Sequence, residues 1–418
     1  MIKIDAYAIF CIFLFILILY LMYNSLIENS LLTCFLIPAF LVYIMIYVSL
    51  FFTEIIEYFN YELQMTMFRN YSFLYLTLFI IPFILMVRNY RLEIAINSNL
   101  EERPNIFIAI YAIYLILFIA VFGVVSYRGI TKVGVFLEKV PHGNIINYFV
   151  NVLNFCLTYY IITSQRKYLL ILIPFSIISL YIMGALQTIL FKLPPLLLAR
   201  HIIKNQGIIS KRLLFSLIPL IILGTLVTLW VKAFVMTGAV GGTTVVDRLL
   251  WQGELFWACI NQSNKGEFFA TLVPFFANFL SIANIGLVRD YGLGHFMVSL
   301  SPIVGSAYVD VGVSFAGGFP SIAIYYFGMV PAFIVFLLTA FIYLKYYAIY
   351  IDVLNRRRLG EFIVLSLLGN YVIEMFISGN IAPINLRTII YLVIYLVIIL
   401  WRAQKEIVGL ELKDTKLA

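Results

Sequence analysis

Charge is what this chain has least of. Only 11% of its 418 residues are Asp, Glu, Lys or Arg, against roughly 25% in an average soluble domain. So few charges cannot coat a soluble globule of this length, which leaves a hydrocarbon solvent as the simpler surrounding. Cysteine and histidine are scarce as well. Cys11, Cys34, Cys156 and Cys259 are scattered, three of them inside apolar runs, and show no metal-type spacing with histidine. His142, His201 and His295 are too dispersed for a zinc site. There is no internal repeat, no low-complexity tract and no connection large enough for a soluble domain. The whole of 1–418 therefore reads as a single integral membrane domain. No small-residue cleavage site follows the first apolar run, and Lys3 is offset by Asp5, so Met1–Tyr23 is expected to be a retained span and not a removed signal peptide.

What the chain does have is apolar and aromatic surface. It is 63% hydrophobic and 17% aromatic, with a mean hydropathy of +1.03. Its net charge is +8. In a soluble protein that excess would suggest nucleic acid; here it sits mainly in loops between apolar runs, so anionic lipid head groups are the expected neighbours and nucleic acid is not. A span needs roughly 20 apolar residues. Ten segments qualify: 6–23, 31–52, 71–87, 106–125, 145–163, 168–185, 213–231, 320–344, 361–377 and 387–401. An apolar stretch at 268–288 is either an eleventh span or a re-entrant piece. The expected fold is thus an all-α polytopic membrane protein of about 10–11 transmembrane helices.

Orientation follows from Lys and Arg in short loops. Loop 186–212 carries Lys192, Arg200, Lys204, Lys211 and Arg212 with no acidic residue. Loop 345–360 carries Lys345, Arg356, Arg357 and Arg358 against Asp352 alone. Both are expected to be cytoplasmic, as is the C-terminal tail. Segment 232–319 then begins and ends outside, and its acidic residues outnumber its basic ones by a single charge. The N-terminal third fits less well. Ten spans with an internal N-terminus put loop 88–105, with Arg88, Arg91 and Arg103, on the outside. An external N-terminus with nine spans would remove the conflict if 145–163 lay in the interface.

Segment 232–319 is the long exception among short connections, and long structured loops on a rigid scaffold often hold function. It is rich in aromatics and has glycine clusters at Gly238, Gly241 and Gly242, at Gly292 and Gly294, and at Gly317 and Gly318. Such a segment is expected to fold back onto the membrane, partly re-entrant. Within it, 245–257 (VVDRLLWQGELFW) reads as an amphipathic helix with Asp247, Trp251 and Glu254 on one face and Arg248 beside Trp251. It is either a solvated interfacial helix or one whose Arg248 faces a lipid diphosphate. Residues 287–295 (LVRDYGLGH) hold Arg289, Asp290, Tyr291 and His295. Arg289 either pairs with Asp290 or grips a phosphate with its planar fork. His295 is a structural residue or a base, and Asp310 a buried capping carboxylate or a base. Arg387, opening the last span, either snorkels to the interface or binds substrate, and Glu374 lies within the preceding span.

This pattern resembles the O-antigen polymerases, the bacterial oligosaccharide repeat-unit polymerase family. The likeness is one of architecture, with many spans and a long external loop in the second half. It also rests on local sequence: 315–328 (FAGGFPSIAIYYFG), 358–364 (RLGEFIV), 376–381 (FISGNI) and 247–257 (DRLLWQGELFW). It covers about residues 230–400. The resemblance implies a metal-independent glycosyltransferase of the kind that takes lipid-linked donors (GT-C-like), without a cofactor, in the bacterial inner membrane with its site facing the periplasm. Donor and acceptor would both be oligosaccharides on undecaprenyl diphosphate. A chain-length regulator and a flippase are the implied protein partners. His295, Asp310 and Glu254 would then be catalytic candidates, and Arg248, Arg289, Arg387 and Trp251 would bind diphosphate or glycan. A polysaccharide flippase is the transporter alternative; it would show repeat symmetry and short loops. An O-antigen ligase differs only in its acceptor. A membrane acyltransferase is disfavoured because no histidine precedes His142.

Overall fold

The protein is described here by a computed structural model. It describes residues 6–51, 71–92, 102–123, 143–182, 186–207, 318–378 and 386–414, with isolated positions 209, 256 and 260; parts of several helices are described by their backbone alone. Among these residues the chain is helical, with no strand. Its elements are α1 (Ala6–Glu28), α2 (Ser30–Leu50), α3 (Ser72–Asn89), α4 (Asn105–Phe122), α5 (Gly143–Thr163), a 3-10 turn (Arg166–Tyr168), α6 (Leu169–Ile182), α7 (Leu186–Lys204), α8 (Gly318–Phe327), α9 (Met329–Asn355), α10 (Leu359–Ser378) and α11 (Leu386–Asp414).

Most of these segments are helices because they are apolar on every face, and in hydrocarbon a helix is the local way to satisfy every backbone group; α7 and the end of α11 carry charged residues as well. Five of them (α1, α2, α3, α4 and α9) are long and apolar enough to cross a membrane. The chain is an all-α, multi-pass membrane protein. The two faces of α1 show the solvent directly. Ala8, Cys11, Ile18 and Met22 are buried, whereas Ile9, Phe13, Ile16 and Tyr20 stand exposed at helical spacing. A soluble helix would carry polar residues on that second face. The same apolar exposure recurs on α4 at Ile106, Ile113 and Ile116, and on α9 at Val330, Ile334, Leu338 and Ile342.

Helix α2 is the hub. It packs against α1, α3, α7, α9 and α10, and 67% of its apolar window is buried, against 17% for α4 at the rim. Two aromatic cores result. The larger joins α1, α2, α3 and α9, with Phe79 and Phe83 edge-on to Phe336 at 5.4 and 6.1 Å. The smaller joins α4, α5 and α6 around Tyr111, whose hydroxyl donates to Asn154 at 2.7 Å.

Two readings from sequence are corrected. Segment 186–212 is not a simple connection: Leu186–Lys204 is helical and packs against α2, α5 and α6. Segment 320–344 is not one span. At Gly328 (φ 75, ψ 172) the chain reverses, and Phe319 stacks back on Phe336 with centroids 6.4 Å apart. Gly328 closes both helices, its N–H bonding Ile324 and its carbonyl accepting from Ala332. Segment 145–163 is helical, as α5, and packs against α6, α7 and α10. Segments 213–231 and 268–288 lie outside the described residues.

Candidate functional site

Arg248, Trp251, Glu254, Arg289, His295 and Asp310 lie outside the described residues. Arg387 is the second residue of α11 and Glu374 lies in α10, both described by backbone position only. Whether the seven candidates converge is thus a matter outside the described residues. What can be located are the two ends of the bundle and the helix that leads back from segment 232–319.

One end is tied together by side chains. Asn29, the single residue between α1 and α2, donates to Val87 O at 3.0 Å and Tyr90 O at 2.6 Å, so it caps carbonyls at the end of α3 that have no helical partner. Glu28 meets Arg88 Nε at 2.7 Å. Arg200 near the end of α7 is 7% exposed and donates to the carbonyls of Ile161 and Ile162 at 3.0 and 3.1 Å, capping α5 in the same way. Ser164 after α5 bridges Glu102 before α4. Glu361 in the first turn of α10 takes both carboxylate contacts from Arg402 Nη1, at 2.8 and 3.0 Å, with Arg358 at 3.7 Å. Tyr159 of α5 packs on Phe362 of α10 at 5.4 Å.

The basic residues at this end are Arg88, Arg91, Arg103, Arg166, Lys167, Arg200, Lys204, Arg356, Arg357, Arg358 and Arg402, against Glu28, Glu102, Asp352 and Glu361. Lys345, further up α9, lies over the Tyr90 ring at 5.3 Å. Loop 88–105 thus emerges beside loops 186–212 and 345–360, not opposite them. Helix α7 is the reason: counted as a crossing, it reverses the sense of every helix before it. The external placement of 88–105 expected from ten spans is corrected accordingly. At the other end lie the start of α1, the Gly328 turn, the end of α10 and the start of α11 with Arg387.

A cavity of about 790 Å³ opens at the basic end, lined by Glu28, Asn29, Arg88, Tyr90, Arg91 and Ile351 among others. Sequence reasoning missed both it and the Glu361 cluster. The partners are 41 positions apart for Arg402–Glu361 and 60 for Arg88–Glu28, and no local pattern reports such pairings. Among the described residues no three His, Cys, Asp or Glu converge as a metal site would require.

Helix α8 is the element that leads toward the candidates. It packs on α9, α10 and α2, with Ala323 and Ile324 fully buried. Nine residues of rise place Phe319 about 14 Å below the Gly328 turn. The helix therefore begins at depth inside the bundle, eight positions after Asp310.

Residues 288–392 match a family described as a family of unknown function (DUF6418). No curated protein and no solved structure matches the chain. The matched stretch encloses α8, α9 and α10 and the first turns of α11, and with them Arg289, His295, Asp310 and Arg387; Arg248, Trp251 and Glu254 fall before it.

Proposed function

We propose that the chain is a membrane glycosyltransferase that polymerises a surface polysaccharide at the periplasmic face of the bacterial inner membrane. The observation that supports this most is α8. A helix that starts at membrane depth brings orphan backbone N–H groups there, and a bilayer tolerates these only where protein or a watery cavity surrounds them. A polar interior reached from the end opposite the basic cluster would suit a polar reaction on a lipid-carried substrate. The charge asymmetry supports the same orientation: by the positive-inside rule the basic end faces the cytoplasm, which leaves the Gly328 turn and Arg387 on the far side.

In this reading a hydroxyl oxygen of the lipid-linked acceptor unit attacks the anomeric carbon of the donor glycan. The bond from that carbon to the diphosphate breaks, its electron pair leaves with undecaprenyl diphosphate, and the hydroxyl proton passes to a carboxylate or to His295. Arg248, Arg289 and Arg387 are the groups that would stabilise the charge developing on the leaving diphosphate, since donors aimed at developing charge supply the largest share of such catalysis. Asp310 and Glu254 are the candidate bases, and Trp251 offers a sugar-stacking face.

The test is reconstitution. The full chain in lipid nanodiscs, given an undecaprenyl-diphosphate-linked repeat unit, is expected to yield a ladder of longer lipid-linked glycans. Arg289→Ala should cut that rate by about ten- to ten-thousand-fold, corresponding to one or two charge-assisted hydrogen bonds of roughly 1.5–3 kcal/mol each, and Arg289→Lys should recover part of it. If Arg289→Ala gives polymer at the normal rate, Arg289 is outside the site. If no ladder forms while the same chain in sealed liposomes carries the substrate across the membrane, the chain is a flippase.

A further inference from the structure

We propose that the cavity at the basic end binds the phosphate group of an anionic membrane lipid. The inference is independent of the transferase reading: it concerns the opposite end of the bundle and needs no chemistry.

The cavity forms where the α1–α2 turn, the end of α3 and the end of α9 meet. Its floor is fixed, because Asn29 spends its amide on Val87 and Tyr90 and so holds the turn against α3. Two arginines stand on its wall. Arg88 uses Nε on Glu28, and its terminal nitrogens make no hydrogen bond among the described residues. Arg91, three positions on and exposed, has no partner among the described residues. An arginine fork is matched to phosphate oxygens, and basic pockets between helix ends are where anionic head groups dock.

Membrane lipid, and not a soluble phosphate, is favoured by what borders the cavity. Leu85, one turn before Arg88 on the same face of α3, is exposed, as is Tyr20 on α1, which lies within electrostatic reach of Arg88. These are surfaces that face acyl chains. A head group in the cavity would have its tails running down this apolar flank. The Coulomb field of the surrounding basic residues adds to the preference for an anion.

The experiment uses the full chain in non-ionic detergent, incubated with phosphatidylglycerol or with phosphatidylcholine, and reads retained lipid by native mass spectrometry. Phosphatidylglycerol should be retained preferentially. Arg88→Ala and Arg91→Ala should each lower its retention by about tenfold, the effect of roughly 1.4 kcal/mol. Glu28→Gln should raise retention, because it frees Arg88 and removes a negative charge from the wall. Arg356→Ala, exposed at the same end but outside the cavity, should leave it unchanged. Thermal unfolding of each variant separates lost binding from lost folding. Equal retention of the two lipids, or normal retention by both arginine variants with an intact fold, would overturn the proposal. So would a loss on Glu28→Gln equal to that on Arg88→Ala, which would make the ion pair structural, or an equal loss on Arg356→Ala, which would reduce the effect to bulk surface charge. Displacement of the lipid by equimolar inorganic phosphate would show a soluble-anion site instead.

Discussion

At the scale of single residues, the sharpest constraint outside the ionic clusters is Gly369. A side chain there would run into the hydroxyl of Tyr346, which is buried and donates to Leu365 O at 2.8 Å. Gly369→Ala should therefore destabilise the protein by about 1–3 kcal/mol, the range for overpacking. Adding Tyr346→Phe should restore part of that loss by removing the colliding atom, read as thermal unfolding of the two single variants and the double. Gly360 in the first turn of the same helix has open space around its missing Cβ, so Gly360→Ala should be neutral or slightly stabilising and serves as the control. Glu361 is a second constraint. Its side chain is 8% exposed, and Arg402 contacts both carboxylate oxygens. Arg402→Ala removes both of these contacts from a buried carboxylate, and should cost about 1–3 kcal/mol.

At the scale of elements, Gly328 sets the α8–α9 reversal. Its backbone lies in a region that is essentially closed to other residues, where strain runs to about 1–3 kcal/mol. Gly328→Ala should lower stability by that amount, and it should also lower polymer yield if the entrance to α8 is the substrate path; a variant of normal stability and activity would remove Gly328 from the account. This hairpin shows why helices were legible from sequence and their connections less so. Seven of the ten expected spans appear as helices within about five residues of their expected ends, and an eighth, 387–401, as the first part of a helix that runs on to Asp414, because apolar runs that long leave few alternatives. The run 320–344 stayed apolar through the reversal, so hydropathy merged two helices into one; a single glycine angle separates them. Helix α7 was missed for the opposite reason. Lys192, Pro194, Pro195, Arg200, His201 and Lys204 look like a loop, yet Leu193, Leu198, Ile202 and Ile203 are buried, and Arg200 is accommodated by the free carbonyls of α5. That partner lies 38 and 39 positions away, beyond the reach of any local pattern. The candidate site was legible only as residue types in a suggestive segment, since convergence of Arg248, Arg289, His295 and Asp310 is a tertiary property.

At the scale of the whole molecule, α7 reconciles the charges when it is counted as a crossing. Every basic side chain described lies toward one end, and the start of α1 lies at the other. In an otherwise cysteine-free protein, cysteines at positions 91 and 357 should both be protected from an impermeant thiol reagent added to intact spheroplasts, whereas a cysteine at 265 should react. Labelling at 91 or at 357 would invert the orientation and with it the periplasmic placement of Arg387.

The central claim, polymerisation of lipid-carried repeat units, is tested most directly by deleting the gene and resolving the cell's lipopolysaccharide on a gel. The deletion should leave lipid A–core bearing one repeat unit, restored to a full ladder by the intact chain. Loss of even the single unit would identify a flippase, and long polymer retained on the lipid carrier a ligase; either pattern, or an unchanged ladder, contradicts the polymerase reading.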